Sequence, residues 1–95
     1  MVVGVARITL LIHSSFSLKD KRSVLRRIKD RTANTFNVSI AEVERHDIHN
    51  LAVLGLAVVG RDRARVDSLM TSIVNFIDDL HVAELIEDEK ELLDY

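Results

Sequence analysis

Cysteine is absent from this 95-residue chain. That excludes a disulfide framework and a thiolate metal site, and it fits a cytoplasmic location. Glycine occurs three times, at positions 4, 55 and 60, too far apart to cradle a phosphate. There is no Ser-His-Asp order, Walker loop or dinucleotide-binding glycine pattern. The sequence therefore offers no catalytic residue and no cofactor site, and it reads as a non-enzyme. The apolar start, MVVGVARITLLI, has no basic leader and no small-residue cleavage site, and it includes Arg7. It is too short to span a bilayer and reads as a strand, so no membrane partner is expected.

What is present belongs to one globular domain, residues 1–95. The chain is 47% hydrophobic and 29% charged, well above the apolar content of a disordered segment. A domain this small buries about 60–65% of its unfolded surface. The net charge of −2 conceals two halves of opposite sign. Residues 1–45 carry nine basic and four acidic side chains, net +5, and residues 46–95 carry four and eleven, net −7. The first half points to an anionic partner; the second argues against indiscriminate nucleic-acid binding.

Met1 to Ile12 reads as a first strand that is largely apolar on both faces, as in a central strand. Ser17 is suited to cap a helix over about 18–34, with Asp20 returning the bond in an approximate capping box and Asn34 as the C-cap. Leu18, Val24, Leu25, Ile28 and Thr32 mark the helix's inner side. Lys19, Arg22, Arg26 and Lys29 follow at spacings of three and four on a solvent-facing flank, with Arg27 and Arg31 in a second row. Phe36 to Arg45 reads as a second strand whose alternation slips in the middle, the mark of a bulge or a polar edge. Leu51 to Gly60 holds no charge and reads as a second central strand. Arg61 to Leu80 is a helix capped by Asp62, with Val66, Leu69, Met70, Ile73, Ile77 and Leu80 on its apolar face. Residues 83–93 alternate poorly and are assigned a final strand by topology.

The order is strand, helix, strand, strand, helix, strand. Right-handed crossovers set strands 1 and 3 in the centre and strands 2 and 4 at the edges. Strands 1 and 3 are the two that pattern as buried on both faces. The expected architecture is a ferredoxin-like α/β plait (α+β, βαββαβ), a four-stranded antiparallel sheet with two helices on one face.

At SLKDKRSVLRRIKDR, with FNVSIAEV and LGLAVVGRD after it, the chain closely resembles the bacterial family called domain of unknown function 503, or YlxP-like. The resemblance spans about residues 2–93 and rests on Ser17, Leu18, Lys19, Lys21 and Arg22 and on Phe36 to Val43. It implies a ferredoxin-like fold. The family's genes often neighbour that for ribosome-binding factor A, which implies a link to ribosome maturation or translation. Relatives tend to carry an aromatic after strand 2, where this chain has Ile48-His49-Asn50, and its last strand is unusually acidic.

Lys19, Lys21, Arg22, Arg26 and Lys29 are the candidate contacts to RNA phosphates, with ribosomal RNA or a ribosomal particle as partner. Lys19 and Lys21 stand at the helix start, where the macrodipole disfavours positive charge, so solubility alone does not account for them. The sheet positions where RNA-binding plaits stack bases hold Arg7, Thr9, Val53, Gly55 and Ala57, none aromatic. The uncovered sheet face instead offers Val3, Val5, Leu11 and Val53, read as a homo-oligomer interface. A structural or ligand-sensing oligomer without nucleic-acid binding is the alternative function. His46 and His49 are turn residues and not metal ligands, since no further ligand lies close in sequence. His13 and His81 stand alone. The acids from Glu84 to Glu91 lack the glycine and spacing of an EF-hand and read as a solvated edge. Glu42 and Glu44, two apart on one strand, have no partner nucleophile.

Overall fold

β1 (Val2–Leu11) alternates strictly. Val2, Gly4, Ala6, Ile8 and Leu10 are buried, while Val3, Val5, Thr9 and Leu11 stay partly open on the other face. In the computed structural model, which describes residues 1–95, the order continues with α1 (Leu18–Thr35), β2 (Ser39–Glu44), β3 (Leu51–Gly60), α2 (Arg63–Asp79) and β4 (Glu84–Asp94). The sheet order is β2-β3-β1-β4, every neighbouring pair antiparallel. This is the ferredoxin-like plait that pattern and crossover handedness imply. Both helices lie on the face presented by the even-numbered residues of β1. Ile8, Leu10, Leu54 and Leu56 meet Leu25 and Ile28 of α1 and Val66, Met70, Ile73 and Ile77 of α2 there. Each such side chain stabilises the fold by about 1.5–3 kcal/mol when fully buried, so this layer outweighs any cap or surface pair.

α1 starts as its sequence specifies. Ser17 is extended, and its Oγ accepts from the Asp20 N–H at 3.0 Å. The Asp20 carboxylate returns the bond to the N–H of Phe16, one residue before the cap (3.0 Å). The helix outlasts Asn34. Its C-cap is Phe36, whose N–H donates to the Thr32 carbonyl at 2.8 Å. The Phe36 ring packs edge to face on Phe76 of α2, centroids 5.4 Å apart, and this seat fixes where the chain leaves the helix. In α2 the Asp62 carboxylate accepts from the Arg65 N–H, as an N-cap does. No helix is long and apolar enough to cross a membrane.

Both edge strands carry a bulge, and each explains a broken alternation. In β2, Glu42 pairs with Leu54 and Glu44 with Val53, leaving Val43 as the extra residue. Glu42 therefore faces the helices and Glu44 the open side, where regular alternation would align them. In β4, Leu85 pairs with Leu10 and Glu87 with Thr9, so Ile86 is the extra residue. This brings Leu85 and Leu92, seven apart, to the same face, where both pack on the core. A spacing of seven would also suit a helix; here it is a strand with one residue inserted.

Gly4 marks a close approach of α2 to the sheet. A Cβ there would lie 2.7 Å from Val66 Cγ1, 3.0 Å from Met70 Cγ and 3.2 Å from Val58 Cγ2. Gly4→Ala should therefore destabilise by about 1–3 kcal/mol through overpacking. Urea unfolding should show a lower midpoint at constant slope, and an unchanged midpoint would mean that α2 lifts away freely.

Candidate nucleic-acid interface

At 100° per residue, Lys19, Arg22, Arg26 and Lys29 fall within about 80° of the α1 circumference. The first three are exposed and Lys29 is half-buried at the margin of the packed stripe. The spacings of three and four advance the charges about 4.5, 6 and 4.5 Å along the axis. None of the four is ion-paired, and neither are Arg27 and Arg31 on the other flank. Elsewhere cations are mostly neutralised: Arg7 with Glu44, Arg63 with Asp94, Arg65 with Asp62, and Lys90 with Asp67. The helix's own acids do not compensate, since Asp20 serves the cap and Asp30 makes no ion pair.

Lys21 does not belong to this surface. It is 1% exposed and shares the buried stripe of Leu25, Ile28 and Thr32, about 120° from the middle of the cationic arc. Its Nζ donates to the carbonyls of Arg45 (2.9 Å), Leu51 (3.2 Å) and, more distantly, His46 (3.4 Å). It also lies 2.9 Å from Glu42 Oε2, a buried oxygen with no other partner, in an ion pair and not a well-directed hydrogen bond. The ammonium thus gathers the carbonyls at both ends of the β2–β3 loop and neutralises an inward-facing carboxylate. A phosphate cannot reach it. Each half was visible in the chain: Lys21 stands four before Leu25, and Glu42 keeps phase with Val38 and Ile40.

The open sheet face has a different character. By register Glu87, Glu89 and Glu91 stand on it beside Thr9, Arg7 and Val5, so its β4 side repels a polyanion. Arg7 is drawn to Glu44 at 3.9 Å, a half-exposed and weak pair. Val3, Val5 and Leu11 are partly open, as the face requires. Val53 lies on the same side but is only 4% exposed, so it is not available to a partner. The larger apolar exposures there are Val43, which lies over Gly55, and Val59, at 45% and 65%. A shallow groove of about 460 Å³ runs beside Val43 over Val5, Ala41, Gly55 and Ala57.

His46 and His49 are exposed and hold no shared ligand geometry; the Ser15 hydroxyl donates to the His49 carbonyl, which ties the two loops at this end of the sheet. His13 pairs with Glu84 at 2.7 Å. His81 takes the left-handed conformation (φ 53°) just after α2, a helix-ending position.

The family profile described as "Protein of unknown function (DUF503)" matches residues 3–90. The chain belongs to the DUF503 family. The uncharacterized protein YlxP of Bacillus subtilis (strain 168) is 36% identical to this DUF503 chain over 77 residues, 81% of this chain and 84% of that protein. Among solved structures, the de novo designed protein Foldit4 superposes with a TM-score of 0.53 at 19% identity, covering 99% of this chain and 97% of its own. That likeness concerns the fold alone. In this DUF503 chain the cations of SLKDKR divide, Lys19 and Arg22 to the surface and Lys21 to the interior.

Proposed function

We propose that this DUF503 protein is a non-catalytic RNA-binding protein that seats a phosphate backbone on Lys19, Arg22, Arg26 and Lys29, with ribosomal RNA as its partner in the cytoplasm. One observation carries the reading. Thirteen Lys and Arg are present and five are ion-paired, which leaves eight free, six of them on α1. A helix needing only solubility has no reason to gather unpaired like charge, which costs repulsion at each three- and four-residue step. Binding would be tolerant of sequence and steeply dependent on salt. Capture of the tagged protein from a bacterial lysate, with and without nuclease, tests it. Nuclease-sensitive recovery of ribosomal RNA is expected; recovery of one protein partner regardless of nuclease would replace the reading with a protein–protein role.

A second reading has its own observation. Val59 and Val43, with Val3, Val5 and Leu11, form an apolar tract on the uncovered sheet face, which fits self-association. On this reading, sedimentation of the purified protein shows mass rising with concentration, and Val59→Glu returns it to a monomer. A monomer at every concentration removes the motive for it.

A further inference from the structure

Phe16 is an aromatic without a packing partner at the head of the cationic row. Phe36 and Phe76 pack on each other, and Tyr95, also exposed, is the last residue after β4, away from α1 in the chain. Phe16, 79% exposed, occupies the position just before the N-cap of α1. A hydrophobic residue there ordinarily packs back on the fourth helical residue as a staple. That residue is Lys21, whose side chain is committed to Glu42 and the loop carbonyls of Arg45 and Leu51. The ring is left in water.

Its root is nonetheless held. The Phe16 N–H donates to the Asp20 carboxylate, and the neighbouring Ser15 hydroxyl donates to the His49 carbonyl, with the Ser17 carbonyl 3.1 Å away. Lys19 follows three residues on and Arg22 one turn later. An exposed aromatic next in sequence to a row of cations is a combination by which proteins hold unpaired nucleotides, the cations taking phosphates and the ring a base face. A duplex hides those faces in its stack.

We propose that Phe16 is a stacking platform for an unpaired base of an RNA whose phosphates lie along Lys19, Arg22, Arg26 and Lys29. This rests on the RNA-binding reading above and narrows its target to single-stranded or looped RNA. Fluorescence anisotropy of the full chain with a labelled unstructured oligoribonucleotide and with a duplex of the same length tests it. Phe16→Ala should lose about tenfold in affinity for the single strand and nothing for the duplex, with the salt slope unchanged. Phe16→Trp should keep single-strand affinity. Equal loss on both ligands, or no loss on either, overturns the stacking role, and loss of both ligands by Arg22→Glu/Arg26→Glu would leave the phosphate reading standing. A wild-type chain that binds neither RNA overturns both.

Discussion

Arg22→Glu combined with Arg26→Glu is expected to abolish co-sedimentation with ribosomal particles at low salt. Both side chains are exposed and unpaired, so the variant breaks no internal contact and should fold and melt as the wild type does. Four phosphate contacts give a slope of log K against log salt of about −2.8 for a single strand and −3.6 for a duplex. Neutralising two of them with glutamine removes about half of that slope. Reversing them also places two repulsive charges against the backbone, and affinity should fall by about a hundredfold or more. The salt slope separates this from unfolding, which would remove all binding without a graded change. Co-sedimentation that survives the double reversal at low salt would overturn the proposed surface.

Lys21→Ala is expected to lower stability by about 3–5 kcal/mol, the usual cost of breaking a buried ion pair from one side. Against a total of about 5–15 kcal/mol this is a large share, and for a domain of this size it corresponds to a midpoint about 15–30 °C lower. The loss has two parts. Glu42 Oε2 keeps its burial and loses its only partner, and the Arg45 and Leu51 carbonyls lose a charged donor. Lys21→Met with Glu42→Met should recover part of it, because two apolar groups of similar length remove the orphaned charge. Thermal melts and a double-mutant cycle measure the coupling. If Lys21→Ala melted normally and reduced the salt slope of RNA binding instead, Lys21 would be a surface cation and the interior assignment would fail.

The two experiments separate residues that look alike in the chain. SLKDKR reads as one basic cluster, and periodicity alone puts Lys19 and Arg22 on a flank. The same periodicity puts Lys21 in line with Leu25, Ile28 and Thr32, a signal overridden by its charge. A lysine on an inner stripe is legible only when an inward-facing acid is found for it. Glu42 is that acid: it keeps phase with Val38 and Ile40, but nothing local in the chain says that it meets Lys21. Val53 failed in the opposite sense. Its alternation places it on the open face, and the fold still covers it. Phe16 gives no local signal of exposure, since a hydrophobic residue before a cap normally packs; its exposure accompanies the inward turn of Lys21.

The βαββαβ order, the central placement of β1 and β3, the cap of α1 and the cationic arc are all legible in the chain. All of these follow from periodicity and short-range chemistry, which the chain states locally. Tertiary contacts alone decide that Lys21 turns inward, where single-residue bulges restore phase at both sheet edges, and that Phe16 stays in solvent. Those depend on partners brought together from distant positions, as Lys21 is to Glu42 and Leu10 to Leu85, and no local spacing records such a meeting.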